Sequence, residues 1–273
     1  MPTLTTPDGV RLSYTDTGTG RPLVLIHGWP LSGAAFADNA RVFADAGYRV
    51  ITYDRRGFGA SDKPDGDYGY DTLTDDLDAL LTQLDLTGAV ILGFSMGGGE
   101  VARYLGSRGS GRVAGAILSG SICPALCITD DNPDGAMPYE GFQEMASACA
   151  DDHPGFVDQF CTWFFSSSDG LTVTEEQRQA AVAIARQSSP QAAVATILSW
   201  ATDLRDDCRR IDVPLLVIHG DSDQNVPLAA SSARMPELVD QARLVVIEGG
   251  PHGVNVSHAD QWNQAVLDFL ATL

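Results

Sequence analysis

One segment, residues 88–105, most constrains how this chain folds. The short and continuously apolar run Ala89-Val90-Ile91-Leu92 predicts a parallel strand that is buried on both faces. Gly93-Phe94-Ser95-Met96-Gly97 follows it directly, and apolar residues then recur at helical spacing up to Leu105. The two glycines leave room for a sharp turn in which Ser95 takes a strained backbone conformation. The segment therefore predicts a strand, turn and helix that lift the Ser95 hydroxyl clear of the sheet edge.

Two later segments carry the side chains that a nucleophilic serine needs. A serine hydroxyl reacts poorly unless a base takes its proton and a third group orients that base. The strand pattern at 213–220 runs into Asp221-Ser222-Asp223, and the strand pattern at 243–248 runs into Gly249-Gly250-Pro251-His252-Gly253. Serine, aspartate and histidine thus follow in that order, each just after a strand, where an open parallel sheet places its active site.

Two aspartates, Asp221 and Asp223, compete for the acid role, and the residues alone barely separate them. We favour Asp223 because it lies deeper in the loop, whereas Asp221 at the strand end is expected to accept hydrogen bonds from the turn backbone. Among the histidines, His252 is placed to reach Ser95, since it lies in a glycine- and proline-containing loop after a strand. His219 ends a strand pattern and is expected to be a hydrogen-bonded structural residue.

A tetrahedral acyl intermediate also needs two backbone N–H groups held ready for its oxyanion. Met96, the residue after the serine, is expected to supply one of them. The apolar run at 22–26 predicts an earlier strand, which leads into His27-Gly28-Trp29-Pro30. Trp29 is therefore the candidate for the second N–H group.

Four segments share their residues with one known family. They are His27-Gly28-Trp29-Pro30-Leu31-Ser32, Tyr53 to Ser61, Gly93 to Tyr104, and Gly249-Gly250-Pro251-His252-Gly253. In these segments the chain resembles the cofactor-free bacterial haloperoxidases, also called perhydrolases or arylesterases, of the α/β-hydrolase fold. The resemblance runs from near residue 8 to the end, and it is thin between about residues 123 and 205.

The resemblance implies a catalytic triad of Ser95, Asp223 and His252 and an oxyanion hole from the Trp29 and Met96 amides. It also implies ester hydrolysis and the formation of a peracid from a carboxylic acid and hydrogen peroxide, with no metal, haem or other cofactor. The expected partners are therefore a small ester or carboxylic acid and hydrogen peroxide. Members with proline at the position of Pro30 are those associated with perhydrolysis, so Pro30 favours this side activity.

The predicted function is that of a carboxylesterase or arylesterase with a serine nucleophile and perhydrolase side activity. Haloalkane dehalogenases and epoxide hydrolases of the same fold have an aspartate where this chain has Ser95. A lactonase or an amidase acting on a cyclic substrate remains open, because the same triad serves both. A non-catalytic small-molecule receptor also remains open, since some proteins of this fold keep the triad without turnover.

The apolar patterns predict a mostly parallel, doubly wound sheet of about eight strands. Residues 3–16 predict an antiparallel pair, and further strands are expected near residues 22, 49, 89, 113, 214 and 243, with helices between them. A helix over about 72–84 carries a leucine stripe, with Thr72 and Asp75 as its cap. In the last helix Ser257 and Asp260 are expected to form a capping box around His258. His153, before a proline, is expected in a turn.

The chain is expected to form one α/β-hydrolase core in two parts, residues 1–121 and 211–273. Residues 122–210 between them are too long for a simple crossover and predict a helical cap insertion over the site. Most cap aromatics are expected to pack the cap on the core. Trp163 or Phe164 is the candidate for lining an acyl pocket.

Charge excludes two classes of partner. With 36 acidic and 17 basic residues the formal net charge is −19, which repels nucleic acids and anionic membranes. No apolar run can span a bilayer and the first residues do not resemble a signal peptide, so a cytoplasmic location is expected. The five cysteines are expected to be buried thiols. The sequence leaves the oligomeric state open, including a homo-oligomer.

Overall fold

An eight-stranded sheet forms the centre of the protein. The computed structural model describes all 273 residues. The strands, including a separate two-stranded hairpin formed by β7 and β8, are β1 Thr3–Thr5, β2 Arg11–Thr17, β3 Pro22–Ile26, β4 Arg49–Tyr53, β5 Ala89–Phe94, β6 Val113–Ser119, β7 Ser166–Ser167, β8 Gly170–Leu171, β9 Leu215–Gly220 and β10 Ala242–Ile247.

The strand order of the large sheet is β1-β2-β4-β3-β5-β6-β9-β10. The pairs β1/β2 and β2/β4 are antiparallel, and every other neighbouring pair is parallel. The predicted antiparallel start, the predicted strand positions and the predicted number of strands are all confirmed. Because β3, β5, β9 and β10 run the same way, their carboxyl ends bring the loops after them to one edge of the sheet.

Helices cover both faces of this sheet. They are α1 Ala37–Asp45, α2 Tyr70–Gln83, α3 Met96–Arg108, α4 Tyr139–Asp151, α5 His153–Phe164, α6 Glu175–Ala185, α7 Pro190–Ser199, α8 Arg205–Arg209, α9 Met235–Leu238, α10 Val254–Ser257 and α11 Ala259–Leu270. Short 3₁₀ helices lie at Gly33–Phe36, Leu228–Ala230 and Ser232–Arg234. No helix is both long enough and apolar enough to cross a bilayer.

The central strands are buried on both sides. Every residue of β5 and β9 is buried, because α1 packs with α11 on one face while α2, α3 and α8 pack together on the other. Leu73, Leu77 and Leu80 of α2 are fully buried, which confirms the leucine stripe. The architecture is therefore the doubly wound α/β-hydrolase fold that the sequence predicted.

The segment between β6 and β9 contains five helices and the β7–β8 hairpin. Helices α4 to α7 pack on one another, and α8 returns to pack against α3 of the core. On the apolar face of α4, Phe142 and Cys149 are buried. All five cysteines of the chain are buried, as expected. We interpret residues 122–210 as a cap inserted into a core formed by residues 1–121 and 211–273.

Four local predictions are wrong, and two of them concern helix caps. Helix α2 begins at Tyr70 without a side-chain cap, so Thr72 is its third residue rather than its N-cap, and the Thr72 hydroxyl donates to Asp67 (2.6 Å). The last helix also lacks its capping box, because Ser257 is the last residue of α10 and its hydroxyl donates to the Gly253 carbonyl.

The two remaining errors concern histidines. His258 is the residue before α11 rather than part of its first turn. His153 is the first residue of α5 rather than a turn residue, and its Nε2 lies 3.0 Å from the Ser188 hydroxyl. Asp152 caps that helix by accepting from the Gly155 N–H, so the polar residues around His153 begin a helix instead of forming a turn.

Candidate active site

Ser95 lies in a tight turn between β5 and α3, as predicted. Its backbone angles are φ 55° and ψ −120°, a conformation that is strained for a residue with a side chain. The flanking glycines make the turn possible. A Cβ at Gly93 would lie 2.3 Å from the Gly97 carbonyl oxygen, and one at Gly97 would lie 2.6 Å from the carbonyl oxygen of Ile26 in β3. The turn therefore packs directly against the neighbouring strand.

The structure brings together the three side chains that the sequence singled out. Nε2 of His252 lies 2.8 Å from Oγ of Ser95, and Nδ1 of His252 lies 2.6 Å from Oδ2 of Asp223. All three residues are buried. Because an ionised carboxylate only accepts hydrogen bonds, Nδ1 carries the proton and Nε2 is free to accept the Ser95 proton. This arrangement can act as a nucleophile, a base and an orienting acid.

Asp223 is held as an anion by its surroundings. Its Oδ1 accepts from the backbone N–H groups of Asn225 and Val226, at 2.9 and 2.8 Å. Burial on its own raises the pKa of Asp223, but the charge of His252 and hydrogen bonds from His219 and His252 outweigh it. The pKa therefore lies well below its usual range. Asp221 instead accepts from the Gly249 N–H, a backbone donor in the loop after β10 rather than in its own turn.

The predicted oxyanion donors lie on two segments beside Ser95. Met96 is the first residue of α3, so its N–H group lies at the positive end of a helix. Trp29 follows Gly28, where an added Cβ would lie 3.0 Å from the Ser95 Cβ. Neither the Trp29 nor the Met96 backbone N–H donates to an acceptor within the protein. Both groups are therefore available to a substrate oxygen.

A buried ion pair joins these two segments. Nε of Arg55 donates to Oε1 of Glu100 in α3 at 2.6 Å, and the same guanidinium donates to the His27 carbonyl at 2.6 Å. The Tyr53 hydroxyl donates to the other carboxylate oxygen of Glu100 at 2.8 Å. Asp54 accepts from the backbone N–H of Gly33. These contacts fix the loops after β3 and the start of α3 relative to the segment after β4.

A largely apolar cavity of about 310 Å³ opens onto Ser95 and His252. The side chains that enclose it come mainly from the cap and include Leu126, Phe142, Met145, Phe160, Trp163 and Trp200. Trp163 is thus part of this wall, as the sequence suggested. Phe164 is not; its ring packs 5.0 Å from that of His252 and borders a second cavity of about 390 Å³.

Sequence reasoning missed two features of the site. The first is Trp200, which directly follows α7 and lines the cavity. In the sequence only the large size of its side chain could have pointed to that role. His219 was expected to be structural, and it is hydrogen-bonded as expected. The missed feature is that its Nε2 lies 3.1 Å from Oδ2 of Asp223, although a strand-ending histidine four residues before the acid could have suggested it.

Known proteins resemble this chain over nearly its whole length. Residues 21–259 match the family model described as alpha/beta hydrolase fold. A non-heme chloroperoxidase of Kitasatospora aureofaciens is 40% identical over 99% of this chain and 99% of its own. A bifunctional esterase/perhydrolase of Acinetobacter calcoaceticus is 32% identical over 98% of both chains. The crystal structure of a bromoperoxidase from Bacillus anthracis, 40% identical, has a TM-score of 0.95 and covers 99% of this chain and 100% of that chain.

Proposed function

The chain belongs to the alpha/beta hydrolase fold family, and we propose that it cleaves small carboxylic esters through an acyl-enzyme on Ser95, with hydrogen peroxide able to replace water. It is an enzyme of the esterase and non-haem haloperoxidase type. The observation that carries the assignment of residues is the hydrogen-bonded chain from Ser95 through His252 to Asp223. Ser95, the first residue of this hydrogen-bonded series, faces a cavity that is large enough for a small ester.

In the acylation half-reaction, Oγ of Ser95 attacks the ester carbonyl carbon while Nε2 of His252 takes the hydroxyl proton. The carbonyl oxygen becomes an oxyanion that accepts from the Trp29 and Met96 N–H groups. Asp223 keeps the imidazole ring in place and stabilises its positive charge. Collapse of the intermediate breaks the bond to the alcohol oxygen, and the leaving alcohol takes the proton from His252.

Deacylation uses the same groups in the same order. Water gives a proton to His252 and attacks the acyl carbon, and the serine oxygen recovers that proton as it leaves. Hydrogen peroxide has the same O–H group to donate and yields a peracid in place of the acid. A free peracid then transfers oxygen to a halide ion, giving the carboxylate and a hypohalous acid without the protein. One acyl-enzyme therefore supports both esterase and haloperoxidase activity.

The cavity wall favours an apolar acyl or aryl group. Ten of its 14 lining residues are hydrophobic, and each buried methylene of a substrate contributes about 0.8 kcal/mol to binding. The polar residues of the lining other than Ser95 and His252 are Gln224 and Asn225, so no acidic or basic side chain other than His252 lines the cavity. We therefore propose uncharged aryl or short-to-medium acyl esters as substrates.

The first test compares the products of p-nitrophenyl acetate with and without hydrogen peroxide. We expect catalysed release of p-nitrophenol in both cases, with peracetate replacing part of the acetate when peroxide is present. The Ser95→Ala variant in the same mixture measures the uncatalysed reaction with peroxide. Acetate as the sole product would reject perhydrolysis and leave the esterase proposal intact. No turnover of any p-nitrophenyl ester would reject the esterase proposal and favour a lactone, an amide or a receptor ligand.

A second test reduces the size of the cavity. Ala136 lines the cavity beside Met137, so Ala136→Trp is expected to lower kcat/KM for p-nitrophenyl hexanoate by at least about tenfold relative to the acetate, because the longer chain loses buried methylenes. The matched control is Ala180→Trp, which lines the second cavity instead. An unchanged ratio of hexanoate to acetate in Ala136→Trp would show that the acyl chain does not occupy this cavity.

A further inference from the structure

One buried histidine beside the catalytic residues has no part in the mechanism described above. His219 is the fifth residue of β9 and has no exposed surface. Its Nε2 lies 2.8 Å from the carbonyl oxygen of Val226 and 3.1 Å from Oδ2 of Asp223. Its Nδ1 lies 2.7 Å from Oγ of Ser232, which is also fully buried. Both ring nitrogens are therefore fully engaged.

The partners of His219 fix the position of its proton. The Val226 carbonyl and the ionised Asp223 carboxylate can only accept hydrogen bonds, so Nε2 must carry a hydrogen. In a neutral imidazole Nδ1 is then an acceptor, and the Ser232 hydroxyl is the donor that satisfies it. The ring thus donates into the Asp223 loop from one side and accepts from the 3₁₀ helix at Ser232–Arg234 on the other.

Oδ2 of Asp223 has two histidine neighbours. Nδ1 of His252 donates to it at 2.6 Å, whereas Nε2 of His219 lies 3.1 Å away and shares its one hydrogen with the nearer Val226 carbonyl at 2.8 Å. Oδ1 is occupied by two backbone N–H groups, so rotation of the carboxylate would break several hydrogen bonds at once. A donor on Oδ2 also withdraws part of the negative charge that would otherwise act on His252.

We propose that His219 is a positioning residue of the triad: its Nε2–H group, which is shared between the Val226 carbonyl and Oδ2 of Asp223, holds Oδ2 opposite His252 and limits how strongly the carboxylate favours protonation of that ring. This inference rests on the proposed function of Ser95, His252 and Asp223. It assigns His219 no contact with substrate, since His219 lies behind the carboxylate and does not line the cavity.

Few other titratable groups bear on this network. The charged groups that shift the pKa of Asp223 are His219 from β9 and His252 from the loop after β10. Asp221, on the same loop, faces the Gly249 N–H instead. His252 is packed between the rings of Phe94 and Phe164, and its two ring nitrogens contact Ser95 and Asp223. A pH effect of changing His219 therefore has to pass through Asp223.

Two replacements of His219 distinguish the effect of losing its hydrogen-bond donor from the effect of losing the packing of its side chain. The amide of a glutamine reaches the place of Nε2 and still donates toward Asp223, whereas the shorter asparagine reaches only the place of Nδ1. We expect His219→Asn to move the acid limb of the kcat/KM profile to higher pH by about half to one pH unit. We also expect it to lower kcat about tenfold. His219→Gln is expected to keep the acid limb at its wild-type position and to restore most of kcat.

Ser232→Ala is the matched control for lost stability. It removes a buried hydrogen bond of the same network without touching Asp223, so it is expected to lower the melting temperature and leave the acid limb in place. A shift of the acid limb in His219→Asn that His219→Gln and Ser232→Ala do not share supports the proposal. Equal shifts in all three variants, or no shift in His219→Asn, would overturn it and leave His219 a purely structural residue.

A measurement on the unaltered protein needs neither a folded variant nor turnover. Nitrogen-15 NMR of the imidazoles should show His219 protonated at Nε2 when the ring is neutral, and a neutral ring protonated at Nδ1 would overturn the proposal. The same spectra of Ser95→Ala, with and without His219→Asn, report directly the pH at which His252 protonates. Because this readout does not depend on ester turnover, failure of the esterase assignment and failure of the His219 proposal remain distinguishable.

Discussion

Replacing Ser95 by alanine is expected to lower the turnover of p-nitrophenyl acetate by at least about four orders of magnitude. Without Oγ no acyl-enzyme forms, and what remains is water attack assisted by His252 and the oxyanion donors. Peracid formation is expected to fall in the same proportion, because water and peroxide attack one intermediate. The measurement is kcat/KM for p-nitrophenol release together with the rate of peracetate formation, both corrected for the uncatalysed reaction.

The matched control is Ser107→Ala, since Ser107 is an exposed serine in α3, the helix that follows Ser95, and its hydroxyl donates to the Arg103 carbonyl. It is expected to keep full activity. The Ser95→Ala protein is expected to unfold at nearly the wild-type temperature, since the Ser95 hydroxyl bonds only to His252. Wild-type rates in Ser95→Ala would refute the nucleophile assignment. Loss of ester cleavage with peracid formation retained would refute a shared acyl-enzyme.

The sequence predicted the parts of the site that depend on backbone geometry. A turn as tight as that at Ser95 tolerates only glycine at positions 93 and 97, because any Cβ there would collide with backbone oxygens. Because of these two glycines, the turn can be predicted from the sequence alone. The loops that carry Asp223 and His252 followed from a second regularity, that loops after parallel strands converge at one sheet edge. The choice of Asp223 over Asp221 did not follow from it, and rested on the depth of Asp223 in its loop and on the family resemblance.

The cap could not be predicted in the same way. Trp163 and Phe164 are adjacent on α5, and adjacent residues on a helix point about 100° apart. A rotation of the helix by that angle would exchange their roles. The apolar pattern does not determine the rotation of α5 about its axis, because both sides of the helix contact apolar neighbours. In the structure Trp163 lines the cavity that contains Ser95, whereas Phe164 packs against the rings of Phe94 and His252.

Helix caps failed for a related reason. Sequence spacing pairs Thr72 with Asp75, but α2 begins two residues earlier, at Tyr70. A capping hydroxyl has to lie at the N-cap and accept from a backbone N–H group of the first turn, so Thr72 inside the helix cannot act as a cap and donates to Asp67 instead. Thr174 shows the reverse case, since it is the N-cap residue of α6 and forms the capping box with Gln177.

Replacing Glu100 by leucine is expected to lower the free energy of unfolding by about 3–5 kcal/mol. Burial raises the pKa of Glu100, and the charge of Arg55 and the Tyr53 hydroxyl only partly offset this. Removing the carboxylate leaves the Arg55 guanidinium buried with its charge uncompensated. We expect the melting temperature to fall by about 10 °C. The control is Asp75→Leu in the exposed pair with Arg108, where little change in melting temperature is expected.

The double variant Arg55→Met, Glu100→Leu tests what else the ion pair does. It removes both buried charges, so it is expected to recover much of the stability that Glu100→Leu loses. Activity is not expected to recover with stability. Arg55 also donates to the His27 carbonyl and thereby links the segment that contains Trp29 to α3. Without that tie the two oxyanion amides lose their fixed separation.

Those amides act most strongly on the transition state. The double variant is therefore expected to show kcat lowered by about tenfold to a hundredfold with KM little changed, measured with p-nitrophenyl acetate well below the melting temperature. Full kcat in a stable double variant would mean that β3 and the start of α3 hold Trp29 and Met96 in place without the ion pair. A loss of kcat in that variant would identify the buried charges as retained for geometry, since stability alone does not require them.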